Sequence, residues 1–134
     1  MADPVPLDFL EKRRILYAKG MEGKRASVST RLLDEGRLAE AMEYIEKERD
    51  QGLLDRVRRD AVTAGDAFSL TRVAQLLRVA PDPSEWRELA RYAESKERWF
   101  DCVNALERAG EPEKAEEVRA LRCPGFQPFR PVGK

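Results

Sequence analysis

The feature that most restricts this chain is its punctuation. Turn residues and helix breakers fall at Gly20/Gly23, Gly36, Gly52, Gly65, Pro81/Pro83, Ser95–Lys96, Gly110 and Pro124. They leave segments of about 13 to 16 residues, close to an ordinary globular helix. The apolar residues inside the segments recur at helical spacing rather than alternating. Leu38, Ala41, Met42 and Ile45 form one stripe; Val73, Ala74, Leu76 and Leu77 another; Trp86, Leu89, Ala90 and Ala93 a third; Trp99, Cys102, Val103 and Leu106 a fourth. β-Branched runs are absent, while Ala, Leu, Glu, Arg and Lys dominate, which favours helix over strand. The pattern predicts helices over 6–19, 25–35, 37–50, 52–64, 67–80, 83–95, 97–109 and 112–122.

Local chemistry supports several of these ends. Asp82-Pro83-Ser84-Glu85 combines an acidic N-cap, a proline at the first helical position and a Glu that can reach back to the cap. Glu111-Pro112 repeats part of that arrangement, and Gly36, Gly65 and Gly110 sit where a left-handed residue closes a helix. The final CPGFQPFRPVGK has three prolines and two glycines, so it is expected to be extended. One helical domain over 1–122 followed by a basic, aromatic tail over 123–134 is the expected organisation.

Charge narrows the function. The chain has 25 basic and 25 acidic residues and no His. Neither half is basic enough to track phosphates, so nucleic acid is not an expected partner. The missing imidazole removes the usual general base and the usual neutral metal ligand, so no catalytic residue, metal site or cofactor is expected. The longest stretch without Asp, Glu, Lys or Arg runs only from Cys123 to Phe129, far short of the roughly 20 residues of a spanning helix. The opening MADPVPLDFLEKRRIL does not read as a secretory signal, and the two cysteines fit no short-spacing motif; a cytoplasmic location is expected.

Gly36, Gly65 and the Ser95–Lys96 turn recur about every 30 residues, a period that signals stacked repeats. The segment 86–112, WRELARYAESKERWFDCVNALERAGEP, resembles a tetratricopeptide repeat. Trp86, Leu89, Ala90 and Ala93 match its first helix, and Trp99, Cys102, Leu106 and Ala109 its second. Residues 25–50 resemble the unit through Gly36, Ala41 and Ile45, and residues 52–80 more distantly, with Arg58 at a place the family gives to a small residue. The chain is also similar to the shorter helical pairs of trafficking-coat solenoids. The resemblance implies an all-α, right-handed solenoid of antiparallel helix pairs, with the charged helix 112–122 as a cap. It implies a non-catalytic adaptor that binds another protein on its concave face, and it points Arg59, Arg87, Arg91 and Glu94 there.

Those arginines would suit an acidic peptide or a terminal carboxylate; the alternative is a solvated or internally paired face. Phe126 and Phe129 in the tail need a surface, either the chain's own or a partner's. Self-association through end helices or tail is the second functional expectation, and an RNA-binding repeat the third. Gly20-Met21-Glu22-Gly23-Lys24 lacks the spacing of a phosphate-binding loop and reads as a turn. Cys102 is expected to pack in the core, Cys123 to be exposed and oxidisable, and Glu46/Glu48 and Glu116/Glu117 to be surface carboxylates rather than acid–base pairs.

Overall fold

The computed structural model describes residues 8–123; the tail beyond Cys123, including Phe126 and Phe129, lies outside the described residues. Within them the chain forms eight α-helices and no strand: α1 Phe9–Tyr17, α2 Glu22–Asp34, α3 Leu38–Glu48, α4 Gln51–Ala64, α5 Ala67–Leu77, α6 Pro83–Ser95, α7 Trp99–Arg108 and α8 Pro112–Arg122. Four starts are fixed by aspartates whose carboxylates accept from the backbone three residues on. Asp8 accepts from Glu11 N at 2.7 Å, Asp50 from Leu53 N at 3.1 Å, Asp66 from Ser69 N at 3.1 Å and Asp82 from Glu85 N at 2.9 Å. At α6 the box is complete, because Asp82 N donates to Glu85 Oε1 at 3.3 Å.

Several helices are shorter than their periodicity suggests, and each has a local cause. Arg49, Arg78 and Glu97 adopt left-handed backbone, with φ of 52°, 59° and 58°. That conformation stops α3 and α5 early and delays the start of α7, at residue types that do not advertise it. α2 begins at Glu22 and so takes Gly23 into its first turn. α1 ends at Tyr17 because Arg25 takes over its carbonyls: Nη1 donates to Ile15 O at 3.0 Å, Leu16 O at 3.2 Å and Ala18 O at 3.3 Å. The same buried guanidinium pairs with Glu48 of α3, so one side chain satisfies the end of α1 and ties it to two helices.

The helices pack as pairs joined by tight turns, α2 with α3, α4 with α5 and α6 with α7, and α8 lies on α7. α4 also packs on α2 and α6, α5 on α3 and α7, and α1 touches α2 and α3. A continuous core runs through every helix, from Ile15 and Leu16 of α1 to Ala115 of α8, and takes in Leu32, Ile45, Val57, Leu70, Leu89 and Cys102. Trp86 is buried at 4% exposure, as its stripe requires. The small Ala41, Ala90 and Cys102 are buried where neighbouring helices approach. Cys123 corrects the expectation of an exposed thiol. It is 7% exposed, and its backbone N–H caps α8 by donating to Arg119 O at 2.9 Å.

Two contacts make the junction of α4 and α6 tight. A Cβ on Gly65 would meet Ala93 Cα at 2.6 Å and N at 2.7 Å, and Gly65 itself has φ +68°. Only glycine serves both the turn and the approach. Arg58 accounts for its place in a helix seam: it reaches across to α6 instead of leaving room. Its Nε and Nη2 bind both oxygens of Glu85 at 2.9 and 2.8 Å, and Nη1 binds Val79 O at 2.8 Å.

Candidate partner-binding surface

Part of the arginine content, 18 against 7 lysines, joins helices. Arg56 of α4 pairs with Asp34 of α2 at 2.7 Å, Arg72 of α5 with Glu46 of α3 at 2.7 Å, and Arg58 of α4 with Glu85 of α6 at 2.8 Å. Lys12 of α1 pairs with Glu43 of α3 at 2.9 Å, and Arg119 of α8 with Glu107 of α7. Arginine suits such bridges because its planar fork meets a carboxylate with two donors. The bridges fix protonation: the Arg58 guanidinium holds the Glu85 carboxyl below the usual range against a smaller opposing effect of burial. The hydroxyl of Ser84 does the same for Asp82. Glu46, Glu48 and Glu116 each pair with an arginine, so three of the four carboxylates weighed for acid–base chemistry are bridge partners.

Arg59 and Arg91 are not among these bridges. Both are exposed on α4 and α6, and neither has a carboxylate partner among the described residues. They share a register: Arg59 precedes the left-handed Gly65, and Arg91 the left-handed Glu97, by the same number of residues. Glu94, one turn on from Arg91, is exposed as well. Arg87 behaves differently. Its Nε lies 3.7 Å from Glu111 Oε2 in the turn before α8, so it is half committed to an internal pair. The sequence-derived set thus divides into Arg59, Arg91 and Glu94, free and outward, and Arg87, shared with the cap.

A shallow groove between α4 and α6 is lined by Arg58, Arg59, Val62, Thr63, Glu85 and Glu88. Arg59 forms its open side, while Arg58 and Glu85 neutralise each other in its wall. Such a groove offers Arg59, with Glu88 opposite in charge, beside an apolar step to an incoming chain. Nothing in it forms a nucleophile–base pair. The Cys102 thiol is pushed up by burial in the core, which keeps it protonated and unreactive. Among the described residues no three His, Cys, Asp or Glu side chains are grouped to hold a metal ion, and no helix is long and apolar enough to cross a membrane.

Sequence reasoning missed a second cleft, where the end of α5, the loop 78–82, the start of α6 and the end of α7 meet. It is lined by Thr71, Ala74, Gln75, Arg78, Val79, Ala80, Pro81, Trp86 and Arg108. The Arg108 guanidinium lies 5.2 Å from the centre of the Trp86 ring and donates to Asn104 Oδ1 at 2.9 Å. No linear pattern connects Arg78 with Arg108; the fold alone brings them to one rim. No family model, curated protein or solved structure matches the chain.

Proposed function

We propose that the chain is a non-catalytic scaffold, a right-handed stack of tetratricopeptide-like helix pairs that binds another protein through the face of its first helices, α2, α4 and α6. The order of contacts supports the stack: α4 touches both α2 and α6, and α5 touches both α3 and α7, as expected when each pair packs on the next. One observation carries the binding assignment. Arg59 and Arg91 sit at the same register of consecutive first helices, exposed and without a carboxylate partner among the described residues, whereas Arg56 and Arg58 of α4 and Arg72 of α5 are paired across helices. A preformed row of cations receives an acidic segment with little ordering cost.

The test is affinity capture from the native cell extract with mass spectrometry, comparing the unaltered chain with Arg59→Glu/Arg91→Glu. Partners should be lost on charge reversal; recovery of the same partners in the same amounts would remove the first-helix face from consideration. The second reading, self-assembly, is favoured by one feature, the exposed Phe9, Leu10 and Tyr17 of α1, at 72%, 77% and 64%. Light scattering across a dilution series separates the two, since a mass that does not change with concentration speaks for the scaffold and against assembly.

A further inference from the structure

The cleft between α5, the loop 78–82, α6 and α7 differs in charge from the grooves at α4/α6 and at the α2–α3 turn. The α4/α6 groove carries Arg58 and Arg59 against Glu85 and Glu88, and the groove by the α2–α3 turn carries Arg56 and Lys96 against Asp34 and Asp60. The cleft at Trp86 is lined by two cations, Arg78 and Arg108, and by no acid. Both arginines are exposed. Neither has a carboxylate partner among the described residues, Arg108 being held by Asn104 and the Trp86 ring instead.

Between the cations lies an apolar wall. Val79 is 58% exposed beside Pro81 and Ala74. The wall is preorganised from behind, where Arg58 grips Val79 O at 2.8 Å and Ala80 O at 3.4 Å. A cavity of about 430 Å³ is within the range that takes a small ligand or a short peptide stretch.

We infer that this cleft is a second docking site, for an extended acidic peptide whose carboxylates meet Arg78 and Arg108 while an apolar side chain between them lies on Val79 and Pro81. An extended chain places alternate residues on opposite sides, so acids and apolar residues in alternation fit this mixture of walls. A phosphate backbone fits it less well, because two cations on a charge-balanced surface give no track for a strand to follow. The assignment rests on the scaffold reading only in taking a protein segment as the ligand, and it does not use Arg59, Arg91 or Glu94.

Fluorescence anisotropy with the full chain tests it, using a fluorescein-labelled Asp-Leu-Asp-Phe-Asp peptide and its Asn-Leu-Asn-Phe-Asn counterpart. Arg78→Gly removes one charge and relieves a left-handed backbone at φ 59°, so that variant folds at least as well; Arg108→Gln removes the other charge, and a thermal melt verifies the fold of the double variant. The acidic peptide should bind saturably and roughly tenfold more weakly to the double variant. The Asn peptide should not bind. Equal affinity for the double variant, equal binding of the Asn peptide, or no saturation at millimolar peptide would each overturn the site. So would stronger competition by inorganic phosphate or oligouridylate than by unlabelled peptide. Loss confined to Arg59→Glu/Arg91→Glu would move the peptide to the first-helix face, overturning this site while leaving the scaffold reading intact.

Discussion

Two successive junctions between first helices, α2 with α4 and α4 with α6, repeat one architectural step with different chemistry. The α2/α4 junction is bridged by Arg56 to Asp34, whose side chains are 31% and 56% exposed, and its turn glycine, Gly36, has open space around a would-be Cβ. The α4/α6 junction is bridged by Arg58 and Glu85, at 15% and 27% exposure, and its turn glycine lies against the backbone of Ala93. The same period in the sequence therefore yields one loose and one close seam. A repeat fixes where helices meet; side-chain volume and charge at the meeting point decide how firmly.

That difference can be broken from its strongest side first. Gly65→Ala meets both the left-handed backbone and the Ala93 contact, so it should cost about 2–4 kcal/mol in chemical denaturation. A loss below that of Gly36→Ala would contradict the close seam. Arg58→Met removes the double bridge and leaves Val79 and Ala80 carbonyls without their donor, for about 1–3 kcal/mol. Gly36→Ala isolates backbone strain alone, at φ +76° with nothing nearby, and should cost about 1 kcal/mol. Arg56→Met, at the exposed bridge, should cost about 0.5 kcal/mol or less.

Acid titration sharpens the same contrast. Glu85 has a lowered folded pKa, first through its hydrogen bond from Arg58, so its stabilising effect is complete above the ordinary carboxylate range and fades as pH falls through the depressed value. The melting-temperature gap between the unaltered chain and Glu85→Gln should therefore be largest near neutral pH and close on acidification. A gap that stayed constant with pH would mean that the bridge acts through shape and not charge.

The elements that were legible in advance are those whose signals are local. α6 was readable to the residue, because Asp82, Pro83 and Glu85 are adjacent in sequence and complete their capping box within one turn. α8 was equally legible, opened by Pro112. The ends of α3 and α5 were not, since Arg49 and Arg78 enter left-handed backbone without being Gly or Asn. Among the candidate binding residues, the exposure of Arg59, Arg91 and Glu94 followed from helical phase, whereas the diversion of Arg87 towards Glu111 depends on where α8 settles. Arg58 illustrates the limit most directly. In the repeat pattern it stands where a small residue is expected, and only the position of Glu85 and the loop carbonyls explains how a long cation fits there.

By itself, the sequence determined that this chain is helical, where most helices begin and which stripe of each is buried, because these follow from period and capping over a few residues. Tertiary structure alone decided the close approach at Gly65, the burial of Arg25 and Cys123, the arginine bridges between helices and the meeting of Arg78 with Arg108. Those depend on distances between segments far apart in the chain, and such distances are set when the helices pack, not by any residue's neighbours in sequence.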